Sequence, residues 1–528
     1  MNEYNKFLHG LFIKSNGMLG GEIVNQLVYN FGVTKMNARK ILQRAVEAGL
    51  FKSSAPLTFG KGQFLYYSFS NKLTLEKIIE ASENTRPPLY RLLRLLIING
   101  GISSYFEALK ITASPSVKNS SKINHVKEII SPLVDLGFLI EKMDEIGNLY
   151  ILLKINSNGG DDENLYMQLI KKHYNDIRID ALFVADISRW IFDLGLSNFR
   201  GFYRSTSKPT FGVEHNNLFW DAYSYSNIRG FTGDFNNQPE NNEKQTFIPI
   251  DVVISREYSK IDLDAFLSRI NVHINSTKTN KRKALAVIVF VKISKHAYSA
   301  ARKLGFLTIS LEKIYGNNIL KLIDSISNST IDIEEKQSER ISKALNEINN
   351  NGLNDQLKAV RGALFEALMN IVLSKIYSSS IIIPGYILKD SKITREYDLL
   401  IDSIRPEEIL LVELKGYAGN SYINLGDSQK KGTLKYFFKS SVPLAQREYV
   451  SNRFLDNSNI KALFITTGDY HSESKDFINQ MNKSKFKPSK LPSTILNGNE
   501  LIDFLIKEGF KHEAKVIKKF YVDFKAEN

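Results

Sequence analysis

The chain of 528 residues has no cysteine, two tryptophans and 13 prolines. It has no apolar run of about 18 residues, the length a membrane-spanning helix needs. The missing cysteine excludes disulfides, thiolate zinc sites and cysteine catalysis, and fits a cytoplasmic protein. The opening residues, Met1 to Gly17, lack the long apolar segment and small-residue cleavage site of a secretory signal. A membrane partner is therefore not expected. No Walker-type phosphate loop is present, so any use of ATP has to come from a partner. There is no strong low-complexity tract, and the most polar stretch, Asp234 to Lys244, reads as a loop.

What is present is positive charge. Lys and Arg number 70 against 56 Asp and Glu, a net +14. That balance favours a polyanionic partner, nucleic acid before an acidic membrane surface. The length suits roughly three or four domains of about 100–200 residues each. The pattern of elements predicts an α/β and α+β multidomain chain.

Residues 1–78 read as helices followed by a hairpin. Gly21 to Phe31 is amphipathic, Thr34 caps a helix over Lys35 to Ala48, and Leu57 to Phe69 alternates around Gly60-Lys61-Gly62. This is the layout of a winged helix-turn-helix. Its second helix exposes Lys35, Asn37, Arg39, Lys40 and Arg44 while burying Ile41, Leu42 and Val46, and Lys61 sits at the hairpin tip. Cations and an amide on an outer face suit phosphate and base-edge contacts with DNA. Residues 79–155 repeat the theme with a helix over Lys122 to Leu136, and with Lys118, Lys122 and Lys127 as candidate DNA contacts. Asn156 to Glu163 reads as a linker.

Residues 165–335 turn aromatic and strand-rich. The expectation is a helix at Asp186–Leu194, strands at Leu218–Tyr225 and Phe247–Ser255, a helix at Asp262–Ile274, and then a strand, a helix and a strand through Leu311. Phe202, Tyr203, Phe219, Trp220 and Tyr223 to Tyr225 either stack on bases or fill the core. Residues 355–528 run through a similar order, ending in a helix at Glu500–Glu508. Asp221 then corresponds to Asp398, Asp251 to Glu413, and Val253 to Lys415. An internal duplication, with an inactive nuclease-like first copy, would appear as a common sheet-and-helix core.

The chemistry concentrates in this last segment. Residues i and i+2 of a strand share a face, so Glu413 and Lys415 project together while Leu414 turns into the core. Asp398, on a neighbouring strand, reaches the same place. Two carboxylates and an ammonium at one point are what metal-assisted phosphodiester hydrolysis requires. The hard oxygens of Asp398, Glu413 and the Leu414 carbonyl suit Mg²⁺, for which Mn²⁺ can substitute. Lys415 either helps deprotonate the attacking water or stabilises phosphoryl charge. Glu366 lies close to the apolar side of a helix, where an unpaired acid is costly, and a place facing the metal explains it. Glu513-Ala514-Lys515 has the same spacing in a helical tail, where i and i+2 diverge.

The order helix-Glu366, strand, strand-Asp398, strand-Glu413-Leu414-Lys415, helix, strand resembles the PD-(D/E)XK nuclease superfamily. Gly362 to Glu366, Tyr397-Asp398, Val412 to Lys415, Leu463 to Tyr470 and Ile495 to Leu501 are similar to the Mrr-type restriction endonuclease domain. Glu413 stands where many Mrr proteins carry glutamine. The resemblance implies Mg²⁺-dependent cleavage of double-stranded DNA, often in restriction or antiviral defence. A single such site cuts one strand, so a homodimer or a protein partner is needed to cut both. The rival expectations are a nuclease subunit of a larger DNA-processing or transposition complex, and a DNA-binding protein with an inactive nuclease fold.

Overall fold

The chain opens on α1 (Glu3–Lys14), β1 (Met18–Leu19), α2 (Gly20–Phe31) and α3 (Lys35–Glu47), followed by β2 (Phe51–Ser53) and β3 (Leu65–Ser68). The structure is a computed structural model and describes residues 3–14, 17–69, 72–115, 125–144, 147–155, 162–203, 211–227, 245–275, 283–327, 334–389, 394–453 and 459–525. Ile23 and Leu27 on α2 and Ala38, Ile41, Leu42 and Ala45 on α3 recur at helical spacing and meet Leu8 and Phe12 of α1 in a small core. Thr34 caps α3, its hydroxyl accepting from the Asn37 N–H at 3.3 Å. Val46 is only half-buried, contrary to expectation. The hairpin also differs: β3 pairs with β2, and the arm Leu57–Phe59 contributes only a bridge from Phe59 to Gln63. Pro56 has no N–H to give a ladder, and the Ser54 hydroxyl, donating to the Leu57 carbonyl and accepting from the Leu65 N–H, turns the chain aside.

Next come α4 (Leu75–Ser82), α5 (Pro87–Ile98), β4 (Ile102–Ser104), α6 (Tyr105–Thr112), α7 (Val126–Asp135), β5 (Leu139–Met143) and β6 (Leu149–Leu153), with strand order β4-β6-β5. α4 crosses the boundary expected at residue 78, and Ile78 is buried with Leu89, Leu92 and Leu57 in one cluster.

The middle segment holds α8 (Asp162–Asp193), β7 (Val213–His215), β8 (Leu218–Trp220), β9 (Ala222–Ser226), β10 (Thr246–Tyr258), α9 (Lys260–Ile274), β11 (Val287–Ile293), α10 (Lys295–Lys303), β12 (Leu307–Ser310), α11 (Leu311–Tyr315), α12 (Ile319–Ser327) and α13 (Glu334–Asn350). α8 is far longer than the expected Asp186–Leu194 and starts inside the expected linker. Tyr166, Ile170, His173 and Ile177 form its buried stripe, and the intervening charges masked that spacing in the sequence. Phe219, Trp220 and Tyr223 are buried, so they are core aromatics; Phe202 is exposed but packs on Tyr223.

The last segment holds α14 (Lys358–Ile376), β13 (Ser380–Lys389), β14 (Thr394–Ile404), β15 (Glu407–Lys415), β16 (Tyr422–Ile423), α15 (Leu434–Tyr436), a π-helical turn over Phe437–Ser441, and α16 (Val442–Arg453). β17 (Ile460–Thr466), β18 (Asp469–Tyr470), α17 (Lys475–Asn482), β19 (Ile495–Leu496), α18 (Gly498–Lys507) and α19 (Lys511–Ile517) complete it. α18 is not the final helix. α19 and the turn after it bury Ala514, Val516, Ile517, Phe520 and Tyr521, and Glu513 accepts from the Ser338 hydroxyl at 2.8 Å.

The two large sheets run in parallel ways. The first has the order β12-β11-β10-β9 and the second β13-β14-β15-β17-β19. In each, an antiparallel pair (β9–β10, β14–β15) is followed by two parallel pairings (β10–β11–β12, β15–β17–β19). A long helix, α8 or α14, precedes each. One apolar cluster joins α8, the middle sheet, α14 and the last sheet, so the segments expected as separate domains share a core. Among the described residues no helix is long and apolar enough to cross a membrane.

Candidate active site

Leu410, Val412 and Leu414 of β15 are buried against α14, so the alternate residues Glu413 and Lys415 project from the other face. The ladder between β14 and β15 ends at the pair Leu399–Val412. Beyond it the strands part, and Asp398 fills the gap: its Oδ2 accepts from the Leu414 N–H at 2.6 Å. Lys415 Nζ lies 2.7 Å from Glu413 Oε1, 3.8 Å from Asp398 Oδ2 and 3.3 Å from the Leu414 carbonyl oxygen. The three side chains are each about 18–19% exposed, buried enough to be held yet open on one side.

Neighbouring elements hold this end of β15. The Thr467 N–H donates to the Lys415 carbonyl at 3.0 Å, and the Thr467 hydroxyl donates to the Tyr417 carbonyl at 2.7 Å. Thr467, within the Leu463 to Tyr470 stretch singled out in the sequence, is therefore a backbone clamp. Tyr397, fully buried, donates its hydroxyl to the Ser441 carbonyl at 2.6 Å and ties β14 to the helix that covers the site face. A Cβ on Gly416 would lie 2.6 Å from Phe365 Cβ, so only glycine lets β15 pass this close to α14.

Burial and the neighbouring Asp398 push the Glu413 carboxyl up to about 7, against the pull of Lys415. Burial alone would lower the Lys415 ammonium, but Asp398 and Glu413 outweigh it and raise it. Lys415 is thus held protonated, so it offers N–H donors rather than a proton acceptor.

Glu366 lies on α14, which packs through Leu364, Phe365 and Leu368 on the sheet face opposite to Glu413 and Lys415; it acts electrostatically on Tyr521, adding to the rise of that hydroxyl. Among the described residues, no three His, Asp or Glu side chains gather to hold a metal ion. The donors that remain are carboxylate oxygens of Asp398 and Glu413 and the Leu414 carbonyl. All are hard oxygens that suit Mg²⁺ with several of its waters retained. Glu396 was missed in the sequence. It lies two residues before Asp398 on β14 and raises Glu413 further; the same i, i+2 rule that paired Glu413 with Lys415 would have found it.

Lys35, Asn37, Arg39, Lys40 and Arg44 are all exposed on α3, and Lys61 and Lys127 are exposed elsewhere in the N-terminal segments. Lys118 and Lys122 lie outside the described residues. No family model matches the chain, and no curated protein or solved structure gives a significant match.

Proposed function

We propose that the chain is a Mg²⁺-dependent DNA endonuclease of the PD-(D/E)XK type, acting in restriction or antiviral defence. The observation that carries this reading is the convergence of Asp398, Glu413 and Lys415 where β14 and β15 part. Asp398, Glu413 and the Leu414 carbonyl would hold the ion. When bound, Mg²⁺ supplies an acidified water and charge neutralisation at phosphate. Lys415 donates to a phosphoryl oxygen as negative charge grows there. The water oxygen attacks phosphorus, the bond to the leaving oxygen breaks, and a proton ends on that oxygen. The exposed face of α3 supports a DNA-positioning role for a winged-helix module, with double-stranded DNA as substrate.

Plasmid digestion with Mg²⁺ tests the reading, with wild type beside Lys415→Ala and Asp398→Ala. Each variant is expected to lose at least a hundredfold in cleavage rate. Cleavage that persists in both would remove the site assignment. A wild type inert on methylated and unmethylated plasmids alike would reject a free-standing nuclease.

A further inference from the structure

The middle sheet repeats the backbone geometry of the candidate site. The β9–β10 ladder ends at the pair Ala222–Ile250, and Asp221, just before Ala222, accepts from the Val252 N–H at 2.8 Å. In the last sheet, the pair Leu399–Val412 and the bond from Leu414 to Asp398 stand in the same relation. By this register Asp251 stands where Glu413 does and Val253 where Lys415 does. Val253 carries no charge, but an ammonium is present. Lys110 reaches in from α6, 111 residues before Asp221 in sequence, and its Nζ lies 2.5 Å from Asp221 Oδ2 and 3.2 Å from Asp251 Oδ1.

The surroundings decide what this constellation does. Arg269 of α9 donates to Asp251 Oδ1 at 2.8 Å, and the Tyr258 hydroxyl donates to Asp251 Oδ2 at 3.1 Å. Three of the four carboxylate oxygens are thus engaged, and Asp251 and Arg269 are only 2% and 1% exposed. The cavity beside them, about 50 Å³, has room for a few waters. Burial pushes Asp221 up to about 6, with Lys110 opposing and Asp251 adding to the rise. Two buried carboxylates this close need positive charge between them. A divalent ion would meet that need; here the Lys110 ammonium, bridging both carboxylates, and the Arg269 guanidinium on Asp251 meet it.

Apolar packing seals the same contact. Phe106, one turn before Lys110, sits edge-on to Phe219 with 6.3 Å between ring centroids. Gly212 passes between Phe106 and the Trp220 carbonyl with φ +67°, where a Cβ would lie 2.3 Å from the Phe106 ring.

We propose that Lys110 is a built-in cation filling the position where the middle sheet would otherwise hold a metal, which makes that sheet a non-cleaving joint locking the α4–β6 segment to the rest of the chain. Without Lys110, Asp221 and Asp251 would take a divalent ion. The inference rests on reading Asp398 and Glu413 as metal ligands, and its readout, bound Mn²⁺, is separate from cleavage by the last sheet.

The test uses the full chain carrying Asp398→Asn and Glu413→Gln, so that only the middle pair remains, with and without Lys110→Met. Bound Mn²⁺ is counted by equilibrium dialysis and electron paramagnetic resonance. The expected result is one Mn²⁺ per chain with Lys110→Met, bound at least tenfold more tightly than by its parent and lost on adding Asp251→Asn. A folded Lys110→Met chain without Mn²⁺, or binding that survives Asp251→Asn, overturns the proposal. So does a parent that already binds Mn²⁺ through Asp251. Where Lys110→Met does not fold by itself, it is refolded with and without Mn²⁺. Recovery only with the ion supports the proposal, and failure to recover with the ion overturns it.

Discussion

His173 Nε2 on α8 lies 2.5 Å from Glu107 Oε2 on α6, a second ionic tie across the contact that Lys110 closes. Burial works against both charges, yet each holds the other. Glu107 is lowered to about 2 by His173 and by the Ser104 N–H, and His173 is raised above its ordinary 6.5 by Glu107, with Asp176 assisting and Arg256 opposing. The sign follows by linkage. His173 contributes stability that is full below pH 6.5 and fades as pH rises through its higher folded value. Glu107 contributes above its ordinary 4.5 and fades only as pH falls toward about 2. His173→Gln should therefore cost about 1–2 kcal/mol near pH 6 and much less near pH 9. Thermal melts of both proteins across that range check it, and a gap that does not narrow with pH would reject the charged pair.

Gly416 sits under Phe365 with no room for a side chain. Gly416→Val forces the end of β15 away from α14 and should cost about 1–3 kcal/mol as overpacking. Because Lys415 precedes Gly416, the ammonium moves with it, and cleavage should fall by tenfold or more, beyond the loss expected from unfolded protein. Activity normalised to folded fraction measures this. Undiminished activity per folded molecule would mean that the approach of α14 does not set the position of Lys415.

The pair Glu413 and Lys415 was legible because strand alternation is local: two residues settle which face a side chain takes. Asp398 was legible for a related reason, since a hairpin brings near neighbours together. Lys110 was invisible because it sits on another segment, and no local pattern marks a lysine whose partners lie 111 and 141 residues onward. The length of α8 and the burial of the last turn around Tyr521 were hidden likewise, since both depend on what packs against them.

The exposed cations of α3 give a quantitative expectation. Removing one phosphate contact weakens binding evenly across sequences and lowers the slope of log affinity against log salt by about 1. Arg39→Ala and Arg44→Ala should each do so, measured by fluorescence anisotropy on duplex DNA at several salt concentrations. Asn37→Ala should change sequence preference with little effect on the slope, as an amide reading a base edge does. Unchanged slopes in both arginine variants would exclude α3 from the DNA interface.

Asp186 of α8, only 1% exposed, caps a helix from which it is far removed in sequence. Its two oxygens accept from the Ala359 and Val360 N–H groups, each at 3.1 Å, at the start of α14, whose own N-cap residue Leu357 has no side chain able to do so. Arg189 lies 2.9 Å from the same carboxylate and donates to the Asp355 and Gln356 carbonyls just ahead of α14. Asp186→Ala leaves the buried Val360 N–H and the part-buried Ala359 N–H without this acceptor, and Arg189 without its carboxylate. The expected loss is about 2–3 kcal/mol. Asp186→Asn keeps one acceptor oxygen of nearly the same shape and should lose about half as much. Denaturant midpoints distinguish the two, and equal losses would point to packing rather than capping. Since α14 also carries Phe365 to the underside of Gly416, Asp186→Ala should lower cleavage as well as stability, although Asp186 lies on a helix that contributes no group to the candidate site.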